Sequence, residues 1–231
     1  MKIIFLGTPD FVQSIKNELE KHFILVDSPK KADLGVIAAY GRILTKEELN
    51  TPKFGFINAH PSLLPKYGGP SPIQAAILNG DKVSGITIIK IDEKMDHGPV
   101  LYQEGLELSN DDNCDTLSKK MFQRASEVLP QIIKDFIAGK ITPKPQNHQK
   151  ASFCKMIKKE DGYFDIENPP SPKKLDRIIR AYYPWPGVWT KWSGKIIKFY
   201  PNNMIQMEGK KVISMKDFLN GYPDFPLKYG I

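Results

Sequence analysis

The beginning of the chain alternates short aliphatic runs with helical patterns, and this alternation restricts the possible folds more than any other feature of the sequence. Residues 2–6 (KIIFL) lead into a Gly-Thr-Pro turn, after which apolar side chains recur at helical spacing from Phe11 to Leu19. Three further runs are strand-like, at residues 23–27, 34–39 and 55–59. Strands that alternate with helical segments favour an α/β fold with a mostly parallel sheet covered on both faces.

Helical and strand patterns continue to about the middle of the chain. A helix and two strands are predicted at residues 71–79, 86–91 and 100–108. The longest helical pattern covers residues 114–137, where apolar side chains share one face, and Gly139 follows it as a stop signal. We expect this helix to close a first domain of residues 1–139.

The rest of the chain has a different character. Residues 140–152 are polar, include two prolines and show no periodicity, which is typical of an interdomain linker. Residues 153–231 contain one clear helical pattern at 173–183, followed by short strand-like pieces separated by glycine or by Pro-Asn-Asn. Short strands joined by tight turns favour a small β-barrel, although this segment is short for a complete one.

Charge is distributed unevenly between these two parts. Residues 1–149 contain 18 basic and 18 acidic residues, whereas residues 150–231 contain 15 basic and 8 acidic ones. The whole formal excess of +7 therefore lies in the last third of the chain. Such a bias favours a polyanionic partner such as nucleic acid, but a lysine-rich surface that only maintains solubility explains the charge equally well.

Several classes of protein lack support in this sequence. No apolar run approaches the roughly 18 residues that a membrane span requires, so we expect no membrane association and a cytoplasmic location. Cys114 and Cys154 show no CxxC spacing and no neighbouring histidine cluster, which indicates neither a metal site nor a disulfide framework. The dinucleotide, P-loop, zinc-protease and serine-elbow motifs are absent as well.

Polar side chains follow strand-like runs at three places. Asn58 and His60 are two residues apart on one strand and therefore share a face, and Pro61 places His60 at the end of that strand. A turn containing Asp96 joins the two later strands, and Ala39-Tyr40-Gly41 follows another strand. An amide, an imidazole and a carboxylate suit acyl transfer to an amine without a covalent nucleophile. From the pattern alone, purely structural roles for these side chains stay open.

Four stretches of the sequence carry a resemblance to a known family. They are FLGTPDF at 5–11, AAYGRIL at 38–44, INAHPSLLPKYGGPSPIQAAILNGD at 57–81 and GITIIKIDEKMDHGPVLYQ at 85–103. Together they resemble the folate-dependent formyltransferases, and the resemblance continues through residues 180–200 and 208–225. It implies a Rossmann-like catalytic domain, a 10-formyltetrahydrofolate co-substrate, and transfer of its formyl group to the amine of methionine on initiator tRNA.

The resemblance also implies roles for individual residues. By motif, the catalytic residues are Asn58, His60 and Asp96. Residues expected to contact the folate are Ala39, Tyr40, Gly41, Ser62, Leu63, Leu64, Pro65, Asp92 and Met95. The basic segment 153–231 resembles an oligonucleotide-binding (OB-like) barrel, and the residues expected to contact tRNA are Lys173, Lys174, Arg177 and Arg180. No metal is implied, and we expect a monomer.

This chain departs from the family pattern in three ways. Gly68 replaces a usual arginine, the long basic loop that recognises the tRNA acceptor stem is missing between residues 27 and 34, and Lys94 and His97 occupy the acidic turn. These departures leave two alternatives open. One is formyl transfer to an amino sugar nucleotide or another small amine, and the other is an RNA-binding relative without turnover.

Overall fold

A computed structural model describes residues 1–227, which divide into two compact units. The first unit contains residues 1–72, 83–107 and 118–155. The second contains residues 73–82 and 108–117 together with residues 156–227 of the described chain. Each compact unit is therefore assembled from separate stretches of chain.

The first unit is built around a six-stranded sheet. Its strands are β1 (Lys2–Leu6), β2 (Ile24–Leu25), β3 (Leu34–Ile37), β4 (Phe56–His60), β5 (Val83–Lys90) and β6 (Val100–Glu107), in the spatial order β2-β1-β3-β4-β5-β6. Strands β1 to β4 are parallel to one another, whereas β5 is antiparallel to both β4 and β6. The predicted mostly parallel sheet is confirmed.

The strands at the centre of this sheet carry the apolar core. Ile3, Val36, Ile57 and Ile88 are fully buried. Gly35 on β3 lies opposite Phe56 on β4, and a Cβ atom at residue 35 would collide with the Phe56 ring. Glycine at this position therefore lets the aromatic ring cover the neighbouring strand.

Helices and short turns connect these strands and continue beyond them. The helices up to residue 137 are α1 (Gln13–His22), α2 (Lys46–Leu49), α3 (Pro72–Asn79) and α4 (Cys114–Ile137). The bounds of α4 agree with the sequence prediction. The helix begins after Asn113, whose side chain accepts hydrogen bonds from the N–H groups of Asp115 and Thr116. At its other end Gly139 has φ +71°, a conformation that glycine adopts without strain.

The second unit contains a smaller antiparallel sheet. Its elements are α5 (Pro172–Ala181), β7 (Val188–Trp192), β8 (Lys195–Tyr200), β9 (Met204–Met207), β10 (Ile213–Ser214) and α6 (Met215–Gly221). The strand order is β10-β9-β8-β7. The sequence predicted α5 and the three strands from β7 to β9, which agrees with a small β domain, whereas α6 was missed.

Residues 140–152, predicted to be a linker, are part of the first unit and are hydrogen-bonded to β6 and to the loop after β4. Lys144 and Val100 exchange two backbone hydrogen bonds of 2.8 Å, and the N–H of Ser152 donates to the carbonyl of Pro65 at 3.1 Å. Irregular pairing of this kind leaves no periodic pattern in a sequence, so the composition alone could not reveal it. Among residues 1–227, no helix is long and apolar enough to cross a membrane.

Candidate active site

The polar residues predicted at the end of β4 lie side by side in the structure. Asn58 and His60 are both on β4, where they pair with Ile89 and Thr87 of β5. Asn58 is partly buried and His60 is buried. The strand ends at His60 because Pro61 has no N–H to donate to a neighbouring strand.

Asp96 reaches these two residues from the turn between β5 and β6. Its Oδ1 atom accepts from Asn58 Nδ2 at 3.3 Å and lies 3.4 Å from His60 Nδ1. Its Oδ2 atom accepts from the backbone N–H of Gly69 at 2.8 Å. The side chains of His60 and Asp96 are only 5% and 10% exposed, so water screens their interaction weakly.

The surroundings of His60 determine which of its nitrogens carries hydrogen. Nε2 lies 3.0 Å from the carbonyl oxygen of Tyr67, and because a carbonyl can only accept, Nε2 is an N–H donor. In neutral imidazole, Nδ1 would then direct a lone pair at the carboxylate of Asp96. A lone pair on Nδ1 and a carboxylate oxygen repel each other, and a proton between these two atoms turns the repulsion into a hydrogen bond. The two side chains are therefore suited to hold a proton close to Asn58.

A buried network holds the loop between residues 61 and 71 against this cluster. Thr87 donates its hydroxyl to the carbonyl of Ser62 at 2.6 Å, and Ser62 donates to the carbonyl of Lys66 at 2.7 Å. The thiol of Cys154 donates to the carbonyl of Gly68 at 3.1 Å. Burial raises the pKa of this thiol; the N–H of Ser71 opposes the rise, and the charge of Asp96 adds to it.

A cavity of about 230 Å³ adjoins Asp96. The residues that line it are Leu64, Pro65, Gly68, Lys94, Met95, Asp96, His97, Gln146, His148, Ala151 and Phe153. Phe153 pairs with Gly68, where a Cβ atom would lie only 2.9 Å from the Phe153 ring. Glycine at residue 68 therefore allows the aromatic ring to approach the backbone beside Asp96 closely.

Comparison with known protein families identifies the fold and its two parts. Residues 15–133 match the family described as formyl transferase, and residues 156–205 match the family described as formyl transferase, C-terminal domain. The chain belongs to the formyl transferase family. A methionyl-tRNA formyltransferase of Roseiflexus sp. (strain RS-1) is 43% identical over 76% of this chain and 53% of its own length. The chain thus spans about half the length of that relative.

Two further similarities cover more of the sequence. A methionyl-tRNA formyltransferase of Kosmotoga olearia is 34% identical over 93% of this chain and 85% of its own length. The crystal structure of HypX from Aquifex aeolicus in complex with tetrahydrofolic acid has a TM-score of 0.72 and 16% identity, over 96% of this chain and 47% of that one. At that identity the likeness shows a shared fold.

The residues expected to contact folate fall into three groups. Leu64, Pro65 and Met95 line the cavity beside Asp96. Ser62 is buried and Leu63 is partly buried, and neither lines this cavity. The remaining four do not line this cavity. Ala39, Tyr40 and Gly41 follow β3 and are exposed or partly exposed. The carboxylate of Asp92 lies 2.6 Å from Nδ1 of His97.

Other cavity residues come from a segment in which we predicted no functional residue. Gln146, His148, Ala151 and Phe153 all follow α4, and three of them lie within the predicted linker. The sequence carries one weak signal for them: Phe153 directly follows the predicted linker, and aromatic residues are uncommon in flexible segments. No group of three or more potential metal ligands occurs in the part of the chain that the structure describes.

The basic residues predicted to contact tRNA all lie on α5. Lys173 and Lys174 are exposed, whereas Arg177 and Arg180 are partly buried. Arg177 donates to the carbonyl of Asn79 at 3.3 Å, and Arg180 donates to the carboxylate of Asp176 at 2.9 Å. The two lysines are therefore the members of this set that present their charge directly to solvent.

A second cavity of about 230 Å³ lies beside α5 within the second unit. Its charged lining residues are Lys82, Lys173, Arg177 and Arg180 with Asp81 and Asp176. Four cationic side chains against two carboxylates leave an excess of positive charge at this surface. Such a surface is favourable for a phosphate group.

Proposed function

We propose that this formyl transferase transfers the formyl group of 10-formyltetrahydrofolate to the amino group of methionine on initiator tRNA. The observation that carries the proposal is the meeting of Asn58, His60 and Asp96, which come from two separate segments and meet next to a cavity. Formyl transfer to an amine needs stabilisation of a developing oxyanion and acceptance of a proton. The three side chains offer both.

The cavity beside Asp96 fits the folate ring system in character. Leu64, Met95 and Phe153 provide apolar walls, while Lys94 and His97 add polar groups. Ligand sites generally combine such apolar walls with a few orienting polar groups. The related fold of HypX, solved with tetrahydrofolic acid, supports the assignment. When bound, 10-formyltetrahydrofolate supplies the formyl carbon and a nitrogen leaving group.

The three polar residues have different roles in this proposal. Asp96 lines the cavity and accepts a proton from the attacking amine, directly or through water. Asn58 Nδ2 has two N–H groups and donates one of them to Asp96, so the other can stabilise negative charge on the carbonyl oxygen. His60 holds Asp96 in place, and its Nδ1 atom shares the proton that the carboxylate receives.

The acceptor is proposed from the relatives and from the second unit. The relatives from Roseiflexus and Kosmotoga olearia are both named methionyl-tRNA formyltransferase. The exposed Lys173 and Lys174 and the basic cavity beside α5 would contact tRNA phosphates without reading sequence. We propose catalysis for residues 1–139, tRNA binding for residues 153–231, and a monomer that works in the cytoplasm.

A formylation assay tests the proposal directly. Purified protein is incubated with 10-formyltetrahydrofolate and either initiator or elongator methionyl-tRNA, and formyl-methionine is measured after hydrolysis of the ester. We expect product with initiator tRNA at a much higher rate than with the elongator. No product above background at high protein concentration would contradict the proposal. Formylation of an amino sugar nucleotide without formylation of tRNA would assign the chemistry to another acceptor.

A further inference from the structure

The side chain of Gln146 holds the backbone of the turn that carries Asp96. Its Nε2 atom donates to the carbonyl oxygens of Asp96 and Gly98, both at 2.8 Å. Asp96 has φ +51°, a left-handed conformation that residues other than glycine seldom adopt. The two hydrogen bonds hold the backbone from Asp96 to Gly98, so they help to maintain the unusual conformation at Asp96.

Gln146 is itself held firmly by its neighbours. Two residues before it, Lys144 exchanges two backbone hydrogen bonds of 2.8 Å with Val100. Two residues after it, the ring of His148 stacks on the ring of His97, with centroids 3.8 Å apart and planes 3° from parallel. Gln146 is buried, at 9% exposed. Contacts on both sides of Gln146 in the chain therefore hold its backbone in place.

The amide of Gln146 has no N–H left to donate to a substrate. A glutamine side chain has two N–H groups on Nε2, and the two carbonyls accept one each. The same turn directs the Asp96 carboxylate toward Asn58 and Gly69. A small rotation of the Asp96 backbone would move the carboxylate away from both donors.

We propose that Gln146 is a positioning residue for Asp96 in formyl transfer, an inference that rests on the proposed function. Gln146→Met keeps the length of the side chain but removes both donors. We expect it to lower kcat about tenfold, because misplacement of a catalytic group by a fraction of an ångström is costly. Gln149→Met, at an exposed position of the same segment, is the matched control and should retain full kcat.

A double-mutant cycle separates positioning from general structural support. If Gln146 acts through Asp96, Gln146→Met should lower kcat little further in an Asp96→Asn background. An equal loss of kcat in both backgrounds would overturn the proposal, because a structural defect acts whether or not the carboxylate is present. Thermal unfolding of each variant establishes that the compared proteins are folded.

A second measurement does not depend on activity. The N–H of Gly69 donates to Asp96 Oδ2, so its hydrogen exchange, followed by NMR, reports whether the carboxylate stays in place. We expect Gln146→Met to accelerate this exchange roughly tenfold and Gln149→Met to leave it unchanged. Unchanged exchange in Gln146→Met overturns the positioning role. Faster exchange in a protein that forms no formylated product would instead count against the proposed function alone.

Discussion

The backbone N–H of Gly69 donates to Asp96 Oδ2 at 2.8 Å, which joins the loop after β4 to the turn between β5 and β6. The other oxygen of the same carboxylate faces Asn58 and His60. Asp96 is therefore the point where three parts of the first unit meet. Its carboxylate accepts hydrogen bonds on both oxygens while still lining the cavity.

Removal of the Asp96 charge should abolish most activity. Asp96→Asn keeps the size of the side chain but cannot accept the proton of the amine, so we expect kcat to fall roughly 100-fold or more. Asp111→Asn, at an exposed acidic position, is the control and should keep its kcat. The measurement is steady-state formylation of methionyl-tRNA. Comparable kcat values for the two variants would exclude Asp96 as the proton acceptor.

Substitution of Gly69 should destabilise the fold more than an ordinary glycine substitution. Gly69 has φ +101°, and a Cβ atom there would lie 2.6 Å from the carbonyl oxygen of Cys154. We expect Gly69→Ala to lower the free energy of unfolding by about 2 kcal/mol or more. Gly139→Ala also has a positive φ but no atom within 4 Å, so about 1 kcal/mol is expected. Urea denaturation gives both values, and equal losses would show that the backbone clash is absent.

The Phe153 ring should contribute to folate affinity. It lines the cavity beside Asp96 although it is 70% exposed, which is unusual for a phenylalanine side chain. We expect Phe153→Ala to weaken binding of a tetrahydrofolate analogue roughly tenfold, because about 1.5 kcal/mol of apolar burial is removed. Calorimetry measures this affinity. Met156→Ala, at a similarly exposed position outside the cavity lining, should bind as the original chain does, and a similar loss in both would argue against a specific site.

The exposed lysines of α5 should account for part of the salt dependence of tRNA binding. We expect Lys173→Glu/Lys174→Glu to weaken binding and to reduce the slope of log K against log salt by roughly 0.7 to 0.9 for each phosphate that the variant no longer neutralises. The control is Lys30→Glu/Lys134→Glu, which reverses the same number of charges in the first unit. Equal effects of the two double variants would point to net charge instead of a binding surface on α5.

The Cys154 thiol should react slowly with alkylating reagents. Burial raises its pKa and the nearby charge of Asp96 adds to the rise, so the thiolate fraction at pH 8 is lower than for a free thiol. Because the thiolate is the reactive form, iodoacetamide should modify folded Cys154 more slowly than the unfolded chain. Asp96→Asn should lower this pKa and accelerate the reaction.

Peptide mass spectrometry distinguishes Cys154 from Cys114 in that experiment. An alkylation rate of Cys154 that does not change in Asp96→Asn would contradict the proximity of thiol and carboxylate.

The direction of the Cys154 pKa shift also determines how the stability of the fold depends on pH. The contribution of Cys154 to folding is fully present below the ordinary thiol pKa of about 8.5 and is lost as pH rises through the higher pKa of the folded state.

Local patterns in the sequence determined most of the secondary structure and which polar residues lie at the ends of strands. The period of apolar side chains defined α4, and Pro61 placed His60 at the end of β4. These signals act over a few residues, so they can be read without knowledge of how the chain returns on itself. The alternation of strands and helices likewise indicated a mostly parallel sheet.

Only the tertiary structure decided which of these residues meet. Asp96 reaches Asn58 across 38 positions in the chain, and Gln146 reaches Asp96 across 50. Such contacts depend on the pairing of β4 with β5 and on the path of the chain after α4, neither of which leaves a periodic trace in the sequence. The role of residues 140–152 was missed for the same physical reason, because irregular backbone held by long-range hydrogen bonds has the composition of a linker.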